Sequence, residues 1–336
     1  MKPRVLTGIT TTGTPHLGNY VGAIRPTVRA SRDEKFDSFL FLADLHALVK
    51  CDKPDRVRRS RLQIAASWLA AGLDPAKVTL YRQSDIPEIP ELAWMLGCVT
   101  AKGLMNRAHA YKAAVERNNA AGEDPDAGIS MGLYSYPVLM AADILLFNAQ
   151  WVPVGRDQIQ HVEMARDIAQ RFNRVFGDGK GPFLLPQAQI EEHVATLPGL
   201  DGRKMSKSYD NTIALFEGGP KKLHAAIRRI VTDSRVPGEP KDAENSQLYA
   251  IYRAFASPED AARFKAELEE GLGWGAAKEQ LYALIEAELA PMRARYDSLI
   301  AHPDEVEDIL LAGARKAREI AVPFMERLRR AVGLRL

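Results

Sequence analysis

Two lysines and two hydroxyl side chains fall within five residues at Lys204-Met205-Ser206-Lys207-Ser208, just behind the flexible stretch Gly199-Leu200-Asp201-Gly202. A loop of that composition can close over a triphosphate. Nucleotidyl transfer asks for cations that meet the charge developing on a leaving pyrophosphate, and needs no protein nucleophile. Lys204 and Lys207 are the residues suited to that work. Near the N-terminus, Thr10-Thr11-Thr12-Gly13-Thr14-Pro15-His16-Leu17-Gly18-Asn19 forms a second polar segment. Its threonines can donate to phosphate, Gly13 and Gly18 allow close approach, His16 adds a ring N–H, and a helix opening near Asn19 offers unpaired N–H groups to an anion. By itself such a segment could equally be a turn that caps a helix. The third feature is one carboxylate, Asp143, inside the apolar run from Tyr136 to Leu146. An unpaired charge there is costly. At helical spacing Asp143 shares a face with Leu139 and Met140, and it must be satisfied by a ligand N–H, a nearby backbone group or an arginine.

These groups need a scaffold. Val5–Ile9, Phe39–Ala43, Val78–Tyr81 and Trp151–Val154 are apolar runs of strand length, separated by helical patterns such as Asp55–Ala71, which Gly72 closes, a helix after Pro90, and Val138–Phe147. The alternation predicts an α/β, Rossmann-like parallel sheet covered by helices. Ligands of such sheets sit outside the carboxyl ends of the strands, which is where the threonine segment and Ala43-Asp44-Leu45-His46 fall. After Lys207 the pattern turns helical, over Lys221–Val231, Ser246–Ala256, Glu259–Glu270, Ala276–Tyr296 and Asp304–Val332. The expected organisation is a catalytic domain over 1–210 and an α-helical domain over 211–336, whose last helix is a candidate to pack back on the first. Glu116–Ile129, with Gly122, Pro125 and Gly128, reads as a mobile loop beside the pocket.

The 336 residues carry 45 Lys and Arg against 43 Asp and Glu, a net charge of +2 that does not by itself announce a nucleic-acid binder. Basic runs at Lys221-Lys222, Arg228-Arg229, Arg315-Lys316-Arg318 and Arg327-Arg329-Arg330 each read first as solvated helix faces. Cys51 and Cys98 are the only cysteines, too few for a disulfide framework or a cysteine metal cage, and are expected to be buried thiols. Neither a signal peptide nor a membrane span is evident, so the expected compartment is the cytoplasm and no membrane partner is expected.

Pro15-His16-Leu17-Gly18-Asn19 is similar to the first signature of the class I aminoacyl-tRNA synthetases, and Lys204–Ser208 matches their second signature at every position. Asn19, the segment around Asp143, and Val152-Pro153-Val154-Gly155-Arg156-Asp157-Gln158 resemble the tryptophanyl-tRNA synthetase branch, and the likeness runs over nearly the whole chain. The chain departs from that branch at His16, where Thr is frequent, at Thr10-Thr11-Thr12, where Gln-Pro-Ser is frequent, and at Arg156, where Glu is frequent. The resemblance implies a homodimer that activates L-tryptophan with ATP, Mg²⁺ travelling on the nucleotide without a metal site in the protein. Tryptophanyl-adenylate would then be transferred to tRNA(Trp), with anticodon recognition in the helical region.

Residue by residue, it implies catalytic roles for His16, Lys204 and Lys207. ATP would be bound by Thr10, Thr11, Thr12, Gly18, Asn19, Gly155, Arg156, Asp157, Val194 and the loop Lys204, Met205, Ser206, Lys207 and Ser208. For tryptophan it implies Asp143 on the indole nitrogen, Tyr136 and Gln158 on the α-amino group, and Met140, Val152, Val154, His46 and Leu6 around the ring. Phenylalanine would then leave Asp143 without a donor, and tyrosine would present its hydroxyl on a ring of a different shape. The rivals are a tyrosyl-tRNA synthetase, a small-molecule adenylyltransferase and a non-catalytic RNA-binding relative. The residues around Asp143, the complete second signature and the intact lysines argue against each in turn.

Overall fold

The apolar runs of the first half become the strands of one parallel sheet in the computed structural model, which describes residues 2–177, 181–190 and 197–336, the side chains of 157 and 190 excepted. The strands are β1 (Arg4–Thr10), β2 (Asp37–Ala43), β3 (Thr79–Arg82), β4 (Trp151–Val154) and β5 (Gln187–Ile190), in the spatial order β3-β2-β1-β4-β5. β1 therefore lies between a strand that follows it directly and one that follows much later, and the two directions of winding part at the carboxyl ends of β1 and β4.

The longer helices are α1 (Pro54–Ala70), α2 (Glu88–Val99), α3 (His109–Ala121), α4 (Met131–Leu146), α5 (Ile159–Phe176), α6 (Gly219–Arg228), α7 (Gln247–Phe255), α8 (Pro258–Glu269), α9 (Trp274–Ala301) and α10 (Pro303–Ala331). α4 starts earlier than its apolar stretch suggests because Ser130 caps it, accepting the Leu133 N–H at 3.2 Å. Glu116–Ile129 is only partly a loop: α3 continues to Ala121, Gly122 ends it at φ +72°, and the Asn118 amide then donates to the Pro125 and Ala127 carbonyls. β5, α3 and α5 have no counterpart among the strands and helices of the sequence reading.

Both faces of the sheet are buried, and the two-residue period of β2 divides them. Leu40 and Leu42 point into one core with Ile64, Trp68 and Leu69 of α1, and Phe39 and Phe41 into the other with Leu145 of α4 and Ile168 of α5. The first core continues through α6, α7 and α9, so residues on both sides of position 210 share it. α10 belongs to both. Val306 and Leu310 join the first core, Ala314, Ala317 and Met325 the second. Between them Gly313 crosses edge strand β3 so closely that a β-carbon there would lie 1.7 Å from the Leu80 carbonyl oxygen. Lys316 donates to the Val78 carbonyl at 3.3 Å, and Arg82 pairs with Glu307 at 2.7 Å. A helix thus covers a strand edge that would otherwise offer unpaired backbone groups. Cys51 is buried, whereas Cys98 is exposed, contrary to expectation, because it lies on the outer face of α2.

Candidate active site

Where β1 and β4 part, a cavity of about 500 Å³ opens, and Leu6, His46, Tyr136, Met140, Asp143, Val152, Val154 and Gln158 all line it, together with Thr10 and Gly155. Leu6 comes from β1, Val152 and Val154 from β4, His46 from the turn after β2, Tyr136, Met140 and Asp143 from one face of α4, and Gln158 from the turn after β4. Asp143 is fully buried. It is not waiting for a donor: His46 Nε2 lies 3.0 Å from Oδ2, and Gln83 Nε2 donates to both oxygens at 2.8 and 2.9 Å. The expectation that a phenylalanine ligand would orphan this carboxylate is corrected by those contacts.

Gln83 is itself held in place. Its Oε1 accepts the Leu45 and His46 backbone N–H groups at 3.1 and 3.4 Å, which fixes the amide so that its NH₂ must face Asp143. Burial lifts the Asp143 carboxyl above the usual carboxylate range, opposed by His46 and Gln83. An ionised carboxylate has about four acceptor positions, so capacity remains for an N–H from a ligand in the cavity. Beside it the Tyr136 hydroxyl lies 2.6 Å from His161 Nε2, which sets the tyrosine's position on the cavity wall.

The threonine segment is strapped to α1. Gly13 N–H donates to Ser60 Oγ at 2.9 Å, that hydroxyl donates to the Gly13 carbonyl at 3.0 Å, Thr14 Oγ1 donates to Gln63 Oε1, and Arg56 Nε donates to the Thr12 carbonyl at 2.9 Å. Thr10 is exposed at the cavity, whereas Thr11 is buried, its hydroxyl without a hydrogen-bond partner among the described residues. His16 and Asn19 cap each other: the Asn19 N–H donates to His16 Nδ1 at 3.3 Å, and the His16 N–H to Asn19 Oδ1 at 3.1 Å. Because Nδ1 accepts, the ring proton of neutral His16 sits on Nε2. Burial first, and then the Lys207 charge, push His16 down to about 4.

The second signature closes onto the first. Met205 is buried, and its sulfur accepts the Gly18 N–H at 3.4 Å. Asn211 organises the loop: Oδ1 accepts the Ser206 N–H at 2.8 Å, while Nδ2 donates to Asp201 Oδ1 at 2.6 Å and to the Lys204 carbonyl at 3.1 Å. Ser206 Oγ in turn accepts the Ser208 N–H at 3.3 Å. The two lysines part company. Lys207 lies against the threonine segment, its Nζ 3.3 Å from where a β-carbon on Gly13 would be, and burial and then Arg56 push it down to about 8. Lys204 is exposed and lines a separate groove with Asp233 and Trp274.

Gly155 and Arg156 are exposed at the end of β4, in the turn that also holds Asp157; Val194 lies outside the described residues. Sequence reasoning missed Gln83, Asn211 and Arg56. The position of Gln83 just past a strand's carboxyl end was the one available signal.

The comparisons with known proteins agree with one another. A family model described as tRNA synthetases class I (W and Y) matches residues 1–290. The chain is 69% identical over 335 residues to the tryptophan–tRNA ligase of Pseudomonas aeruginosa, covering 100% of this chain and 75% of the relative. With that of Xylella fastidiosa it shares 60% over 336 residues, covering 100% and 77%. Among solved structures, the tryptophanyl-tRNA synthetase of Campylobacter jejuni complexed with ADP and tryptophan is 42% identical with a TM-score of 0.88, covering 98% of this chain and 99% of that one. The Mycoplasma pneumoniae tryptophanyl-tRNA synthetase is 27% identical with a TM-score of 0.78, covering 99% and 98%.

Proposed function

The chain belongs to the class I tRNA synthetases of the W and Y group, and from that premise we infer how its residues carry out a tryptophan–tRNA ligase reaction. It activates L-tryptophan with ATP to tryptophanyl-adenylate and transfers the amino acid to tRNA(Trp), releasing AMP and diphosphate. The observation that carries this reading is the convergence of Asp143, Tyr136 and Gln158 in one cavity with apolar walls from β1, α4 and β4. The indole N–H would donate to Asp143 between the donors already on it, Met140, Val152, Val154 and Leu6 would pack on the ring, and Tyr136 and Gln158 would hold the α-amino group.

With the amino acid so placed, its carboxylate attacks the α-phosphorus in line and diphosphate leaves with the electron pair of the broken bond. Positioning supplies most of the rate. Neutral His16, Asn19, Gly18 and the Thr10–Thr12 segment would place the nucleotide from below, and Gly155 and Arg156 would border the ribose. Lys207 would meet the phosphates directly, and Lys204 would join by a movement of its loop. Among the described residues no group of three His, Cys, Asp or Glu side chains forms a metal cage. Mg²⁺ brought in with the nucleotide would neutralise phosphate charge there.

Residues 211–336 would serve as the anticodon-binding domain. Lys221, Lys222, Arg228, Arg229, Arg315, Arg327 and Arg330 are exposed there, whereas Arg318 and Arg329 are committed to Glu88 and Glu91 of α2 and have a structural role. A homodimer would cover the outer face of α2, where Trp94 is 77% exposed one helical turn from exposed Cys98. The working compartment would be the cytoplasm. Pyrophosphate exchange measured with each amino acid in turn tests the reading. Tryptophan should support exchange and tyrosine should not, and exchange with tyrosine alone, or with none, would sink it.

A further inference from the structure

A second cavity, of about 970 Å³, lies between the threonine segment and the start of α1, and its lining includes Gly13, Thr14, Lys53, Arg56, Arg59 and Lys207. Two of its cations converge on one point. Lys207 Nζ lies 3.3 Å, and Arg56 Nη2 3.4 Å, from the place a β-carbon on Gly13 would occupy. Their charges repel, and that repulsion adds to burial in lowering the Lys207 ammonium. The cleft's lining also carries Asp52, Asp55 and Asp210, but among the ion pairs of the described residues none of these is paired with Lys53, Arg56, Arg59 or Lys207. Asp55, on the cleft's rim, is paired instead with Arg58. Arg56 is also aimed. Its Nε donates to the Thr12 carbonyl, which fixes the plane of the guanidinium and leaves the Nη groups to point into the cleft. Two like charges brought to one point against a glycine describe a seat for a small polyanion.

We propose that Arg56, which no motif marks, touches the departing diphosphate in this cleft as a further catalytic cation beside Lys207. The proposal rests on the ligase reading above and deepens it. As the tryptophan carboxylate oxygen bonds to the α-phosphorus, the bond from that phosphorus to the bridging oxygen breaks and the diphosphate takes the electron pair. No proton need move, and the Arg56 guanidinium receives the new charge in a bidentate fork. A phosphodiester of the tRNA acceptor end is the other anion of this chemistry. The half-buried Lys207 and the backbone of Gly13 favour a small terminal group over a polymer strand.

The test uses the full chain and its Arg56→Gln and Arg56→Lys variants. Tryptophan-dependent exchange gives the KM for inorganic diphosphate, inhibition by AMP reports the rest of the nucleotide site, and transfer from preformed enzyme-bound adenylate to tRNA reports the second step. Arg56→Gln should raise the diphosphate KM and slow exchange by about ten- to a hundredfold, the worth of hydrogen bonds to a charged group. AMP inhibition and transfer should hold, and Arg56→Lys should recover part of the loss. An unchanged diphosphate KM overturns the proposal. So does an equal loss of AMP affinity, which would mean that Arg56 only anchors Thr12, or a loss confined to transfer, which would mean an RNA phosphate. Ser60→Ala loosens the same segment without removing charge, and if it reproduces the Arg56→Gln pattern the proposal also fails. Absence of exchange with tryptophan in the unmodified chain would instead overturn the ligase reading beneath it.

Discussion

At the scale of single residues, Asp143 is proposed to carry the choice of substrate, and its two protein donors set how much it can contribute. Were it bare, a ligand without an N–H would strand a buried charge. With His46 and Gln83 in place, what such a ligand forfeits is one hydrogen bond to a charged acceptor, about 1.5–3 kcal/mol. Shape must supply the remaining discrimination. Lys207 makes a prediction in pH. It faces Arg56 and His16, it is pushed down to about 8, and so the free chain loses this ammonium as pH rises through that value. The kcat/KM for ATP in exchange should therefore hold at neutral pH and fall above about pH 8, since it reports groups on the free enzyme. His16, pushed down to about 4, is neutral throughout and should add no step near its ordinary value. A profile flat to about pH 10 would remove Lys207 from the reaction. Lys207 and Asp143, the residues proposed for this chemistry, stood out in the sequence because Lys207 sits in a dense cationic pentapeptide and Asp143 is a lone charge among apolar neighbours. Gln83 and Asn211 are ordinary amides whose meaning comes from what the fold sets beside them.

Among the elements, the strands were read well because parallel strands buried on both faces form short continuous apolar runs, and β2 is buried from Ser38 to Ala43. β5, Gln187–Ile190, escaped because an edge strand with two glutamines in four residues has no such run. α3 was not read as a helix, and its last residues were taken into the loop Glu116–Ile129, because glycine and proline follow it and composition cannot say on which side of Gly122 a helix stops. The crossing of α10 over β3 is a third feature hidden from sequence, since Gly313 looks like any helical glycine until it meets the Leu80 carbonyl. Gly313→Ala must push α10 off the strand and should destabilise the chain by about 1–3 kcal/mol or more, the range for overpacking a tight contact. Chemical denaturation checks this, and a midpoint equal to that of the unmodified chain would mean that the crossing is looser than the structure has it.

For the whole molecule, the two halves expected from the sequence are joined by cores that draw on both, by Arg82 with Glu307, and by Arg318 and Arg329 with Glu88 and Glu91. The helical half therefore braces the helix that carries Trp94. If that face is where two copies meet, Trp94→Glu should turn a dimer into a monomer in sedimentation analysis. A monomeric unmodified chain, or a dimeric variant, would place the interface elsewhere. The proposed contact that decides the substrate is one between the buried Asp143 carboxylate and an indole N–H. It is tested most directly by exchange with tryptophan and with its benzothienyl analogue, in which sulfur replaces the N–H at nearly constant shape, on the unmodified chain and on Asp143→Asn. The unmodified chain should prefer tryptophan by about ten- to a hundredfold, the worth of that hydrogen bond, and Asp143→Asn should lose most of the preference. Equal use of the two substrates by the unmodified chain, or a preference untouched by the substitution, would contradict it.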